Sequence, residues 1–294
     1  MSRISVKNVS YIYSKDTPFM KKALDDVSVS IEENRITGLI GHTGCGKSTL
    51  VQLLNGLLKP DSGEILLDGQ SIWADPKKIS DIRFRIGIVF QYPEYQLFEE
   101  TVWKDIAFGP QNMGLSADEV KRRVEEAALF AGLDPEMLQK SPFDLSGGQK
   151  RRAAVAGVMA MEPEVLILDE PAAGLDPLGR EEILGGIRTY QRQKKSTVVI
   201  VSHSMEDMAR YADDLIVLEH GKVYMTGSCR EIFRRAGDLN AVGLDIPQIT
   251  RFMRLLQEKG APVRTDIFTV EEAKDEIMRV LSAQKKKTVG GGTK

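Results

Sequence analysis

The sequence predicts an α/β fold carrying a helical subdomain, and three observations support that prediction. A short apolar run at 36–40 meets the glycine-rich stretch Gly-His-Thr-Gly-Cys-Gly-Lys-Ser at 41–48, after which Leu50, Leu53, Leu54 and Leu57 recur at helical spacing. That is strand, loop, helix. Apolar strands return at 165–168, 197–201 and 215–218, separated by helical segments that begin near Pro177 and Ser204, an alternation typical of a parallel sheet. Between these blocks, residues 92–163 change to helical character.

Taken in order, Ile4 and Val6 alternate with polar residues, as do Val27, Val29 and Ile31, so the amino-terminal lobe begins as sheet. The stretch 64–70, with Asp68-Gly69 as a turn, and then 85–90 add strand signal. In the helical stretch Ser116 and Glu119 form a capping box, and Val120, Val124, Ala127 and Ala131 mark an amphipathic face. After about Ser228, Ile249, Phe252, Met253 and Leu256 make one stripe, and Ala273, Ile277, Val280 and Leu281 another. These predict two appended helices, packed on the chain's own core or alternatively forming a partner interface. Three lysines and then three glycines make the tail at 285–294 an expected disordered segment. The expected organisation is a main domain at 1–230, its helical subdomain at about 92–163, and an extension at 231–284.

With 294 residues, 42 acidic against 40 basic side chains and a net charge of −2, a polybasic nucleic-acid arm is excluded as the dominant feature. A hydrophobic fraction of 42% with 28% charged residues reads as globular. No apolar run approaches the roughly 18 residues that cross a bilayer. The opening MSRISVKNVS lacks the order of a secretory signal, so the chain is expected in the cytoplasm. Cys45 and Cys229 are too few for a disulfide framework, and with His42, His203 and His220 also dispersed they make no metal cluster.

The loop at 41–48 fits Gly, four residues, Gly-Lys-Ser, between a strand and a helix, which is the context of a phosphate-binding loop. Gly41, Gly44 and Gly46 let the backbone wrap a phosphate with its N–H groups inward, and the following helix turns its positive end toward the same anion. Lys47 would reach the β and γ phosphates, Ser48 would present its hydroxyl to Mg²⁺, and Thr49 would bond the α phosphate. Cys45 lies inside the loop, where the helix end and Lys47 should favour thiolate and make it alkylatable, although a tolerated small residue is the plainer reading. The strand at 165–168 ends in Asp169 and Glu170, where a parallel sheet places its ligands. Asp169 is then set to hold Mg²⁺ through its water shell and Glu170 to polarise the water that attacks the γ phosphate, which makes the chain a nucleoside triphosphatase.

Leu145-Ser146-Gly147-Gly148-Gln149 stands 23 residues before Asp169, and with it the sequence resembles the ATP-binding cassette (ABC) ATPases. The resemblance implies a P-loop cassette with an antiparallel β subdomain, a helical subdomain and a carboxyl-terminal extension used for dimerisation. It implies that Ser146, Gly147, Gly148 and Gln149 contact ATP held by a facing subunit, so the working unit is a dimer. By the same resemblance Gln91 contacts Mg²⁺ and the lytic water, His203 senses the γ phosphate and orients Glu170, and Asp176 lies in a loop that communicates across the dimer. That loop departs from the family's commoner wording, because Ala173 replaces a hydroxyl. Tyr13, favoured over Tyr11 by family register, stacks on adenine.

Within the family, Phe90-Gln91-Tyr92-Pro93-Glu94-Tyr95-Gln96-Leu97-Phe98 and Asp105-Ile106-Ala107-Phe108-Gly109-Pro110 are similar to importers of the energy-coupling factor and cobalt/nickel type. Thr43 after His42, together with Ala172-Ala173-Gly174-Leu175-Asp176, resembles the second ATPase of the heterodimeric energy-coupling factor systems. The resemblance implies ATP and Mg²⁺ as cofactors and a second cassette ATPase as partner. It also implies a membrane scaffold, a small substrate-binding membrane protein, and a place on the cytoplasmic face of the cell membrane. Tyr95, Leu97 and Phe98 are either local core or the lining of a groove for the scaffold's helices. A soluble ABC ATPase acting as a mechanical switch on ribosomes or DNA is the competing implication; one cassette and balanced charge speak against it, and no nucleic acid partner is expected.

Overall fold

A computed structural model describes residues 2–290. The chain runs β1 (Ser2–Tyr13), β2 (Lys21–Glu32), β3 (Ile36–Ile40), α1 (Lys47–Leu54), β4 (Ser62–Leu67), β5 (Gln70–Ser71), α2 (Ile79–Arg85) and β6 (Ile86–Val89). There follow α3 (Val102–Asn112), α4 (Ala117–Phe130), α5 (Gly147–Met159), β7 (Val165–Asp169), α6 (Pro177–Lys194), β8 (Thr197–Val201), α7 (Met205–Tyr211), β9 (Asp214–Glu219) and β10 (Lys222–Ser228). The last elements are α8 (Cys229–Arg234), α9 (Ala236–Ala241), α10 (Gln248–Glu258) and α11 (Val270–Gly290).

Two sheets result. The first, in the order β2-β1-β4-β5, is antiparallel throughout. The second, in the order β10-β9-β3-β8-β7-β6, is parallel except for β10, which returns antiparallel along β9. Every residue of its central strands β3, β8 and β7 is buried because both faces are covered. Leu166, Leu168, Val198, Ile200, Leu215 and Val217 face the helices of the larger core. Val165, Ile167, Val199, Val201, Ile216 and Leu218 face α1 and the antiparallel sheet. The fold class expected from the sequence is the one observed.

The helical stretch forms as expected, with Val120, Val124, Ala127 and Ala131 buried. The capping box at its start is one-sided. Ser116 accepts a bond from Glu119 N at 3.3 Å, but the Glu119 carboxylate is drawn away to Arg122 and Arg123. A full reciprocal box occurs instead at Ser146/Gln149 and at Ser228/Glu231.

Beyond β10 the described residues make four helices, not two. α8 and α9 are six residues each, too short for a periodic stripe, and Ile232, Phe233 and Leu239 bury into the main core. Met253, Val263, Ile267, Ala273 and Val280 form a small separate core between α10 and α11, with Ile249, Leu256 and Ile277 packed on it. Phe252 and Leu281 stay 47% exposed, so the two stripes pack mainly on each other. The stretch expected to be a disordered tail begins at residue 285, within α11, which runs to Gly290. The remainder of that expected tail, 291–294, lies outside the described residues. Among the described residues no helix is long and apolar enough to cross a membrane.

Candidate active site

The carboxyl ends of β3, β8 and β7 lie side by side, since Leu39 and Asp169 both register with Val201. Each end delivers one part of the site. β3 leads into the loop at 41–46, β7 ends on Asp169 with Glu170 next, and His203 follows β8 by two residues. The loop turns sharply into α1 at Gly46, whose φ of 110° is left-handed and where a Cβ would stand 2.7 Å from the carbonyl oxygen of Ala23. Only glycine fits there.

Lys47 is buried, and its Nζ donates to the carbonyl oxygens of Gly41 at 2.6 Å and His42 at 2.8 Å. The loop backbone thus fixes the ammonium inside its own ring. Ser48 Oγ donates to Asp169 Oδ2 at 3.3 Å, which places a hydroxyl and a carboxylate oxygen together at the mouth of the loop. Burial raises the pKa of Asp169, opposed by the Ser48 bond and the Lys47 charge.

Glu170 occupies a left-handed backbone with φ of 52°, an unusual conformation for a non-glycine residue, while its N–H donates to Val201 O at 3.0 Å. Burial first, and then the adjacent Asp169, push its carboxyl up to about 7. Its Oε1 is buried without a hydrogen-bond partner and lies 3.6 Å from His203 Nε2. Burial and then the Lys47 charge lower the pKa of His203, with His42 adding to the shift, so the imidazole is neutral at physiological pH. A carboxyl with its pKa near neutrality beside a neutral imidazole is suited to accept a proton from water.

Tyr13, at the end of β1, places its hydroxyl 3.2 Å from Thr49 Oγ1 and lines a cavity of about 150 Å³ with Gly44, Gly46, Lys47, Ser48 and Thr49. Tyr11 stands behind it, edge to face with ring centroids 4.8 Å apart. Lys21 and Ala23 of β2 line the same cavity. Sequence reasoning missed them because the alternation that identifies β2 is clear only from Val27 onward. Thr43 and Gly44 are exposed on the loop's outer turn.

Of the two readings of Cys45, the structure speaks against the thiolate and for the plainer one, a tolerated small residue. The thiol is buried, 5% exposed, and desolvation raises its pKa more than Lys47 lowers it, so thiolate is disfavoured. Tight packing beneath Gly41 overrides the favourable helix end: a Cβ at Gly41 would lie 2.6 Å from Cys45 Sγ.

Ser146, Gly147, Gly148 and Gln149 sit at the start of α5, in the helical subdomain. Ser146 Oγ accepts from Gln149 N at 3.3 Å, and Gln149 Oε1 accepts from Ser146 N at 2.9 Å. The Gln149 carbonyl is therefore committed to the helix cap, whereas the Ser146 hydroxyl proton is free to be donated. Asp176 caps α6 by accepting from Gly179 N at 2.6 Å. Gln91 is exposed just past β6, and because Val89 registers with Leu168 it leaves the sheet beside Glu170.

The segment after Gln91 carries a feature that sequence spacing does not reveal. Glu94 takes two bonds from Arg151 of α5, from Nε at 3.1 Å and Nη2 at 2.9 Å. Beyond this pair the aromatic rings turn outward: Tyr95 is 84% and Phe98 59% exposed, and Phe98 stacks edge to face on Phe108 at 5.0 Å. The local-core reading therefore holds only for Leu97, which packs against the main core. Asp105 fixes the backbone here, accepting from Phe98 N and Glu99 N at 3.1 and 3.3 Å.

A phosphate loop, an acidic strand end and a neutral histidine, assembled at the carboxyl edge of one parallel sheet, define a P-loop nucleoside triphosphatase with a cassette's helical subdomain. Residues 24–173 match the family model described as ABC transporter. The chain is 54% identical over 282 residues to the energy-coupling factor transporter ATP-binding protein EcfA2 of Caldanaerobacter subterraneus, covering 96% of this chain and 99% of that one. The protein of the same name from Clostridioides difficile is 55% identical over 280 residues, with 95% and 97% covered. Among solved structures, cbiO1 of Clostridium perfringens, part of the ABC transporter complex cbiONQ, superposes with a TM-score of 0.74 at 40% identity over 86% of this chain and 99% of that one. The dimeric bacterial ABC transporter cassette MJ0796 superposes with a TM-score of 0.69 at 29% identity, covering 77% and 98%. The chain belongs to the ABC transporter family, among its energy-coupling factor transporter ATP-binding proteins. It is an ATP-hydrolysing transport ATPase.

Proposed function

We propose that this chain is one of two paired ATPase subunits that drive an energy-coupling factor importer of vitamins or transition-metal micronutrients from the cytoplasmic face of the cell membrane. The observation that carries this reading is the link from the hydrolytic site to an exposed aromatic surface. Glu94 stands three residues past Gln91, is gripped by Arg151 of the signature helix, and is followed by Tyr95 and Phe98 in solvent. An apolar surface of that kind suits the coupling helices of a membrane scaffold, which also carries the small substrate-binding membrane protein.

Lys47, the loop N–H groups and Thr49 bind the ATP phosphates, and Tyr13 supports the adenine. Ser48 and Asp169 fit Mg²⁺, because two oxygens already 3.3 Å apart suffice for an ion that takes most of its remaining ligands from phosphate and water. Gln91 would add a further oxygen to that set. Mg²⁺, when bound, neutralises charge on the β and γ phosphates. Glu170 accepts the proton of the attacking water, and His203 holds Glu170 in place. Ser146, Gly147 and Gly148 present donors to ATP bound on the partner ATPase, so nucleotide binds the closed pair more tightly than the open one and closes it. Residues 231–284 form an extension that adds to the pairing.

Purification of the chain from its native membrane fraction in mild detergent tests the reading. A second cassette ATPase, a polytopic scaffold and a small membrane protein should co-purify. Recovery with ribosomes or DNA and no membrane partner overturns the transport role.

A further inference from the structure

The carboxyl-terminal extension reaches the phosphate loop at one point. The linker between α9 and α10 is anchored on the main core by Leu244 and Ile246, both buried. Gln248 N, at its end, donates to Glu206 Oε1 of α7 at 3.1 Å, three residues past His203. Between α9 and these anchors lies Gly243, with φ of 64°, and against it rests the imidazole of His42. A Cβ at Gly243 would stand 2.5 Å from His42 Nε2 and 2.9 Å from Cε1. That left-handed φ favours glycine, and any other residue there would press its Cβ on the His42 ring.

His42 also supplies the carbonyl that accepts Lys47 Nζ at 2.8 Å. Two contacts, joined through the ring and backbone of His42, thus run from the linker to the lysine that would meet the terminal phosphates.

We infer that Gly243 is a positioning residue for the phosphate loop, and that the contact between His42 and Gly243 couples nucleotide occupancy to the carboxyl-terminal helices. The contact works in both directions. A linker that displaces the His42 ring alters the carbonyl cage of Lys47 and weakens ATP binding, and ATP that orders the loop orders the linker by the same factor. The inference rests on the reading of 41–49 as the nucleotide loop.

Gly243→Asn is the discriminating variant, because asparagine tolerates left-handed backbone yet carries a Cβ into the His42 ring. In the assembled transporter it should raise KM for ATP by about fivefold or more at nearly unchanged kcat, and the same substitution in a His42→Ala background should add nothing. In the unaltered protein, ATP should slow amide hydrogen exchange at 240–248, and His42→Ala should abolish that protection. If Gly243→Asn shifts KM equally in both backgrounds, or if ATP leaves exchange at 240–248 unchanged, the coupling does not exist. Failure of the nucleotide-loop reading itself looks different: the unaltered protein would then not bind ATP.

Discussion

Arg151 and Glu94 are 57 residues apart in sequence and make a two-pronged ion pair in which Arg151 is 5% and Glu94 17% exposed. One belongs to the signature helix and the other to the turn that carries the exposed aromatic rings, so a shift of either element is transmitted to the other. Removing one partner leaves a buried charge, and Glu94→Ala should destabilise the chain by about 3 kcal/mol. Replacing both by apolar residues, as in Arg151→Met with Glu94→Leu, should recover most of that stability while transport per ATP hydrolysed falls. Chemical denaturation of the three variants and uptake in reconstituted vesicles measure the two effects. Full coupling in the double variant would show that the pair serves stability alone.

Tyr95 offers the complementary substitution, since its ring is 84% exposed and supports little of the fold. Tyr95→Ala should change the melting temperature by less than about 2 °C and leave nucleotide binding alone, as expected of a surface site. It should reduce recovery of the membrane scaffold in a detergent pull-down. Unimpaired recovery for both Tyr95→Ala and Phe98→Ala would remove the aromatic surface from the docking face.

Glu170 gives a pH dependence whose sign follows from its shifted carboxyl. Its folded pKa of about 7 lies above the ordinary 4.5, so between these values the folded chain binds more protons than the unfolded one. Stability contributed by this group is complete below about 4.5, declines as pH rises, and is lost above about 7. In chelator and without nucleotide, Glu170→Gln should exceed the parent by roughly 3 kcal/mol near pH 8.5, with the difference vanishing toward pH 4.5. The same variant should bind ATP, hydrolyse it about 10²- to 10⁴-fold more slowly, and accumulate as the closed pair. Unchanged hydrolysis would remove Glu170 from the role of base.

How much of this was legible in the sequence depends on where the deciding interaction lies. The strand ends that build the site are readable because strands covered on both faces are nearly unbroken apolar runs, and the loop at 41–48 is readable because its chemistry is local. β10 is not, since only Met225 of its seven residues is buried and an edge strand with one buried side chain has no period to detect. The pairing of Glu94 with Arg151 and the contact of Gly243 with His42 join distant segments, which no spacing rule reaches. Cys45 shows a local rule outvoted: the helix end and Lys47 favour thiolate, but packing under the loop excludes the water that would stabilise it.

That reversal is itself measurable. Cys45 is 5% and Cys229 7% exposed, and burial pushes the Cys229 thiol up to about 12. Iodoacetamide at neutral pH should modify neither thiol at an appreciable rate in the native protein, and both on addition of denaturant. Alkylation of native Cys45 at the rate of a free thiol would restore the reactive-loop expectation.

Glu276, on α11, organises the small carboxyl-terminal core. Its side chain is fully enclosed and accepts from Arg264 N at 2.9 Å, Arg264 Nε at 3.1 Å and Arg279 Nη2 at 2.7 Å. The bond from Arg279, with further help from Arg264, lowers its carboxyl from 4.5 to about 2. A depressed carboxyl stabilises the fold above its unfolded pKa and stops doing so as pH falls through its folded one, so the α10–α11 unit should loosen between about 4.5 and about 2. Because this core is separate from the two larger ones, the loosening should be local. Glu276→Gln should reproduce it at neutral pH, because it removes the charge and one of the two acceptor oxygens that the arginines share. Hydrogen exchange should then rise across 248–283 while the strands at 165–169 and 197–201 stay protected. Exchange that rises equally in those strands would show that the extension and the cassette unfold as one unit.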